Sequence, residues 1–448
     1  MSNDNNKLKL GACVAMLAGG CIGSSIFSLS GMTMYYASPA AIFSWLGAAI
    51  ICGLYGLQAA ELSIRYPKSG GVFVFPAKAI SPKWGFIAAW GYIVANSIAV
   101  AFAAIYVGTY LGVSWKMFSN MQIVLAIVAV FFVTWMNLKK VTMAGKVNNI
   151  LVLSLIVCML IYVCVAFTHP NFCWDNFSNF FNGGMGKTGW IEAIPNAMTG
   201  YGSIVAIAFM VSEVHEPNKT VPKSLFIALG IIVGLYMLMI IATMGHITTD
   251  FLVENPGMRF IPMFAAAFTS MNNVPWLSKV ISIAAVLALI TTMLVVEKLT
   301  VGAVKSMADA ELLPAVLKKE NKDGAPIVAT IVIAIVCAIL SCFPSATEIL
   351  VNLGSLFAAI NISLVIISAI FARKKVPYVE GNFKAPGGNV VSIITVIAIV
   401  ATYIPKMIGG ENTTMWIFTI VLYAIGAVIM MYYTKKGHPS YNREDGVK

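Results

Sequence analysis

Charge is what this chain has least of. Only 10% of its 448 residues are Asp, Glu, Lys or Arg, while 59% are hydrophobic. Soluble globular domains carry about 25% charged and about 45–50% apolar residues. The shortage excludes a soluble enzyme and a disordered chain, and leaves a polytopic membrane protein. Acidic residues are scarcer than basic ones, 18 against 29, for a net charge of +11. That excess is no nucleic-acid footprint, because the basic residues lie in short strips between apolar runs and no arm or face collects them. Histidine occurs four times, at 169, 215, 246 and 438, always in a loop or at the end of an apolar run. None has metal-ligand spacing, and each is expected to be solvated. Of eight cysteines, only Cys173 lies clearly in a loop, so no disulfide framework is expected. Nothing calls for a metal or another cofactor. No hydrophilic stretch is long enough for an independent domain. The opening MSNDNNKLKL has no small-residue cleavage site and reads as a cytoplasmic tail instead of a signal peptide.

What fills the chain is a series of charge-poor runs bounded by Pro, Gly and Lys/Arg. Twelve spans are predicted near 11–36, 39–63, 84–112, 121–138, 147–167, 190–212, 224–246, 276–305, 326–343, 347–372, 389–409 and 414–434. Lys and Arg in alternate connecting segments number 23 on one side. On the other they number five: Lys116, Lys187, Arg259, Lys279 and Lys406. That asymmetry predicts a protein of the plasma (inner) membrane with both termini in the cytoplasm. Two spans carry backbone-breaking residues mid-run, GGCIGSSIF (19–27) in the first and AMTGYGS (197–203) in the sixth. Unwound backbone at membrane depth survives only where it lines a cavity or is buried in protein. Matched interruptions in spans one and six point to two five-helix halves of inverted topology with a binding site between them. Close helix packing is the competing account of such glycines.

At these residues the sequence also resembles a known family. GGCIGSSIF is similar to the first-helix motif of the amino acid–polyamine–organocation transporter superfamily. AELSIRYPKSGGVFVFPAKA (60–79) resembles its loop after the second helix. GYGSIVAIAFMVSEVHEPNKTVPKS resembles its sixth helix and the loop beyond. KSMADAELLPAVLKKENKDGAPIVA resembles the segment joining helices eight and nine, and FKAPGG (383–388) the approach to helix eleven. The resemblance implies an all-α integral membrane fold of about twelve helices. It would be a LeuT-like five-plus-five inverted repeat with discontinuous helices one and six, plus two C-terminal helices. As one transport domain, 1–10 is a tail, 11–167 and 190–372 are the two repeats, 389–434 the last two helices and 435–448 a second tail.

It also implies an amino acid or amine cargo held between helices one, six, three, eight and ten. The breaks suit a zwitterion. Free N–H groups and the positive helix end near Ser24, Ser25 and Ile26 suit a carboxylate. Carbonyls near Cys21, Ile22, Tyr201 and Gly202 suit an ammonium, with Gly23 and Thr199 in the same two breaks. Three positions depart from the family pattern. Ser25 and Ser203 replace glycines and narrow the pocket, and Val205 replaces a common acid, so no role of that acid carries over. In the third span Tyr92 and Asn96 share a face one turn apart; a tyrosine matching Tyr92 lines the cargo site in antiporters of the family, and simple packing is the equal alternative. Ser355 in the tenth span is a weaker candidate.

Glu297 and Lys298 are unusual inside an apolar run, where charge is costly. Lys298 is expected to snorkel toward the cytoplasmic end. Glu297 has three open roles: neutralising a cationic cargo, carrying a coupling proton, or pairing with a neighbouring helix. Glu61 and Arg65, four apart, read as a structural pair. No Lys, Asp or Glu occurs between Val147 and Phe167, which excludes a carry-over of the fifth-helix lysine of some proton-coupled relatives. Sodium binding near Cys21, Thr291 or Thr292 stays open. Exchange driven by cargo gradients is favoured, with proton or sodium symport as the alternative. A membrane enzyme would need clustered catalytic side chains, and a channel would need repeated rings in an oligomer; neither pattern is present. The expected partners are a small amino acid or amine and the lipid bilayer, with no nucleic acid; oligomeric state has no signal in the sequence.

Overall fold

The structure is a computed structural model that describes residues 7–139, 141–408 and 413–435, with side chains excepted at 141–149 and 405–408. The expectations placed on Lys406, on His438 and on most of the two tails lie outside those residues. Among them the chain is all helix, with isolated bridges and no strand. The first span is α1 (Leu10–Cys21) and α2 (Ser30–Ala37), and the second is α3 (Ala41–Arg65). A short α4 (Gly71–Ala79) precedes α5 (Pro82–Ser114), α6 (Gln122–Asn137) and α7 (Val141–Thr168). The sixth span is α8 (Gly189–Met198) and α9 (Ala206–Phe209), followed by α10 (Pro217–Met244). Two short helices, α11 (Thr249–Glu254) and α12 (Pro262–Thr269), lead into α13 (Pro275–Asp309). The chain ends with α14 (Ile327–Ser341), α15 (Thr347–Lys375), α16 (Gly388–Ile408) and α17 (Thr413–Lys435).

Helix is dictated by solvent. In hydrocarbon, every N–H and C=O must be bonded within the segment. Proline stands at the first position of α5, α10, α12 and α13, where its missing N–H is no loss. Seven stretches are long and apolar enough to cross a membrane, the first of them Leu10–Arg65, and α6, α14 and Gly388–Ile404 of α16 are shorter apolar helices. Their outward faces are apolar at helical spacing. Val124, Val128, Phe131 and Trp135 on α6 and Ile331, Ile335 and Ile339 on α14 are all exposed. On a soluble protein such stripes would be sticky patches; against lipid they are the solvent-matched surface.

Three helices were not expected. α4 lies in the strip read as a loop, yet Val72, Phe73, Val74 and Phe75 are all buried. Nine residues are too few to span, and a short helix apolar all round has to be packed inside. α11 and α12 occupy the loop at 247–275. Two histidines also differ from expectation. His169 and His246 are buried and bonded instead of solvated. The Asn171 N–H donates to His169 Nδ1 (3.1 Å), so Nε2–H donates to Asn273 Oδ1 (2.6 Å). His246 Nε2 donates to the Ala166 carbonyl (2.9 Å), tying the ends of α7 and α10 together.

At the end of the bundle rich in Lys and Arg, called here the basic end, charge is buried. Glu61 on α3 is 1% exposed and sits between Arg65 (2.9 Å) and Arg373 of α15 (2.6 Å). It also accepts from the Ala385 N–H (3.1 Å), and Arg373 donates to Asn389 and Ser392 of α16. The expected Glu61–Arg65 pair is therefore part of a staple joining α3, α15 and α16. Removing one partner of a buried pair strands the other charge, at about 3–5 kcal/mol. R373M should lower the unfolding temperature in detergent clearly, and E61Q/R373M should recover part of the loss. Equal unfolding temperatures for wild type and R373M would refute the staple.

Candidate functional site

The first span breaks where the sequence is richest in small residues. α1 stops at Cys21; Ile22 turns to ψ 89° with its N–H on the Ala18 carbonyl (2.7 Å). The chain resumes as one π-helical turn, Ser25–Leu29, before α2. The first N–H to return is that of Phe27, on the Gly23 carbonyl at 3.5 Å. Among the described residues, the N–H groups of Ser24, Ser25 and Ile26 have no backbone acceptor. Gly23 is required here: a Cβ on it would stand 1.5 Å from Thr292 Oγ1 and 3.2 Å from the Ala288 carbonyl of α13.

The sixth span does not unwind as expected. Between α8 and α9 it tightens into a seven-residue 3-10 helix, Thr199–Val205. The thinner 3-10 form lets Trp45 approach Gly200, where a Cβ would lie 2.7 Å from the indole. One side chain ties the two irregular segments together. The Tyr236 hydroxyl, from α10, reaches both the Cys21 carbonyl and the Gly200 carbonyl (2.9 Å). The Cys21 carbonyl, expected to be free for an ammonium, is therefore engaged. A second link is direct. Thr199 gives its proton to the Asn196 carbonyl (2.6 Å), so Ser25 donates to Thr199 Oγ1 across 3.0 Å.

Beside these segments is a cavity of about 90 Å³. Nine of the sequence-predicted residues line it: Cys21, Ser24, Ser25, Tyr92, Asn96, Thr199, Gly202, Ser203 and Ser355. Five do not. Gly23 is pressed on Thr292, and Ile22 and Ile26 are buried among other helices. Tyr201 packs against Trp45 and Tyr236 and bonds the Trp45 carbonyl (3.3 Å). Glu297, 1% exposed, turns to α6, where Thr134 Oγ1 (2.8 Å) and Asn137 Nδ2 (2.7 Å) hold its carboxyl. The other lining residues include Ala95, Ala99 and Phe102 of α5, Thr292 and Val296 of α13, and Val351, Gly354 and Ala358 of α15. They follow from helical spacing once Tyr92, Asn96 and Ser355 are fixed. Two lining groups, Asn96 Nδ2 and Thr292 Oγ1, are buried with no partner among the described residues. Among the described residues, no charged side chain lines the cavity.

Toward the basic end a larger vestibule, about 410 Å³, is lined by Lys68, Lys139, Glu213, Lys298, Lys305 and Asp309 among others. Lys298 does turn that way and meets Glu213 at 3.4 Å. Lys68 is held below the ordinary lysine range by partial burial and by Lys78 nearby. Tyr92 lines the cavity and Phe209 the vestibule, and their rings meet edge-on with centroids 5.8 Å apart. At this aromatic pair a residue lining one space touches a residue lining the other.

Two substitutions test the geometry. Y236F removes the one proton that the two break carbonyls share, at about 1–3 kcal/mol, and should lower thermal stability and uptake together. G23A should do so more severely, since overpacking costs about 1–3 kcal/mol even where neighbours can shift, and Thr292 is fixed on a buried helix. Unchanged stability in both variants would show that the breaks are not held this way.

A profile described as amino acid permease matches residues 8–429. The branched-chain amino acid permease BcaP of Bacillus subtilis is 27% identical, over 98% of this chain and 95% of its own length. The methylthioribose transporter of the same organism is 26% identical over 94% and 92%. Its serine/threonine exchanger SteT is 24% identical over 53% and 55%.

Proposed function

The chain belongs to the amino acid permease family, a family of multi-pass membrane transporters, and from that premise we propose that it exchanges small neutral amino acids across the membrane by alternating access. The observation that carries this reading is the cavity itself. It is about 90 Å³, walled by alanine, valine and glycine, and free of charged side chains. A cationic or acidic cargo side chain would be desolvated there without a counter-charge, at several kcal/mol. Glu297 points away from the cavity, which removes the argument for a cationic cargo. The unpaired N–H groups of Ser24, Ser25 and Ile26 suit the cargo carboxylate. The Thr199–Val205 carbonyls, with weak 3-10 bonds and spare lone pairs, suit its ammonium.

Two polar groups of the cavity wall support exchange. Thr292 Oγ1 has no protein partner among the described residues, and Asn96 has no closer one than Tyr92 beside it. A bound zwitterion can satisfy them, so the loaded carrier reorients more readily than the empty one. The cavity also holds no carboxyl or ammonium side chain to pass a proton with the cargo. The name of SteT, an exchanger of serine and threonine, fits this cargo class. The same reading takes the twelve spans as a five-plus-five inverted repeat with two further helices, in the plasma membrane, with the basic end facing the cytoplasm.

Purified protein in liposomes tests the proposal. Uptake of labelled alanine, serine or threonine should require an unlabelled neutral amino acid inside and should not need a sodium or pH gradient. Strong uptake into empty liposomes driven by sodium or protons would overturn exchange. Gly202 lines the cavity with nothing within 4 Å of an added Cβ. G202A should therefore fold like wild type and shift preference toward the smaller cargo, read as the alanine-to-threonine uptake ratio.

A further inference from the structure

The proposed cargo cavity makes no use of Glu297, a carboxyl buried at 1% exposure in an apolar helix. We propose that Glu297 is a proton-binding site, held as the neutral acid between α6 and α13, whose proton exchanges with the basic-end vestibule and sets the rate of the transport cycle. The hydrogens around this carboxyl can be counted. Thr134 Oγ1 lies 2.8 Å from the Val130 carbonyl and 2.8 Å from Glu297 Oε1. A hydroxyl has one proton and cannot serve both acceptors. Asn137 Nδ2 has two, and they point to Glu297 Oε2 (2.7 Å) and the Leu294 carbonyl (3.2 Å). A protonated Glu297 closes the set: Oε1–H donates to Thr134, Thr134 donates to Val130, and Asn137 donates to Oε2 and Leu294. An ionised Glu297 pulls the Thr134 proton off Val130 and leaves a full charge on two neutral donors.

No cation among the described residues pairs with that charge. Lys298, one residue on and turned by about 100°, is committed to Glu213 at 3.4 Å. Lys139, just beyond α6, lies over the Trp135 ring at 5.5 Å. Cys337 of α14 turns its thiol to the Ser97 carbonyl of α5 at 3.6 Å. The side chains of 141–149 on α7, Lys146 among them, are outside the described residues. A carboxylate in such a place costs several kcal/mol, which a proton removes. The proton has a short way out. Asn137, which holds Oε2, also lines the vestibule, and Val296, next to Glu297, lines the cargo cavity. Glu297 thus stands one hydrogen bond from the vestibule and one residue from the cargo. Losing the proton puts a bare charge into the α6–α13 contact and opposes any motion that separates it further from its two donors.

Only the transport arm of the test rests on the exchange reading. The first measurement is an infrared difference between wild type and E297Q in lipid at neutral pH. A protonated-carboxyl band present in wild type and lost in E297Q is expected; its absence in wild type overturns the proposal. The second is cargo exchange at equal pH on both sides, stepped from mildly acidic to alkaline. Wild type should slow severalfold on the alkaline side, while E297Q, a mimic of the neutral acid, should keep the acidic rate throughout. Parallel pH profiles, or a folded but inactive E297Q, would overturn the assignment. Should E297Q not fold, T134V removes the acceptor of the acid's proton and must shift the wild-type band upward; an unshifted band overturns it equally. Absence of exchange in wild type with the infrared band present would fail the transport reading alone.

Discussion

A chain in hydrocarbon has to bond its own backbone, and this one leaves part of it unbonded at the break in its first span. Everything about the centre of the molecule is arranged around that debt. Leaving the N–H groups of residues 23 to 26 in the first span without backbone acceptors among the described residues is tolerable only if the chain around them is fixed and something polar can come to them. Fixing is the work of Tyr236, whose hydroxyl reaches a carbonyl in each irregular segment, and of the Ser25–Thr199 bond between them. In the proposed reading the polar visitor is a cargo zwitterion in the adjoining cavity. Helix α13 supplies the back wall, close enough that only glycine fits at position 23.

The distribution of charge obeys the same rule. Ionised groups are gathered at the basic end, where Glu61 is shared by two arginines and Lys298 meets Glu213. Among the described residues the cavity is polar without being charged, furnished by serine and threonine hydroxyls, an asparagine and a tyrosine. Neutral donors and acceptors discriminate by hydrogen-bond geometry and do not trap a zwitterion as a fixed opposite charge would, which matters for a carrier that has to let go.

Much of this was legible from residue order, and the exceptions have identifiable causes. The long helices follow the predicted spans within a few residues, because apolar run length is set by the bilayer. The break in the first span was readable from its small residues, and Tyr92, Asn96 and Ser355 do reach the cavity. Tyr201 and Glu297 do not, because their direction depends on which neighbour each faces. A residue's position along a helix gives its depth, whereas its azimuth is fixed by packing. Tyr236 left no trace at all, since a tyrosine in an apolar run looks like any packed aromatic. The sixth span misled for another reason: the same glycines that permit unwinding also permit a 3-10 turn, and Trp45 beside Gly200 favours the narrower form. α4 was hidden by its length, too short to register as a span and too apolar for a loop.

The aromatic contact between the two chambers bears on how cargo finally departs. Tyr92, which lines a cavity of about 90 Å³, stands edge-on against Phe209, which lines a vestibule of about 410 Å³. A single molecule confined to the larger space is at an effective concentration on the order of 4 M, far above any amino acid pool. Once the rings part, return to the site competes strongly with escape. Dwell time on the protein is then governed by how fast the vestibule drains, and an incoming molecule meets a predecessor still in the antechamber.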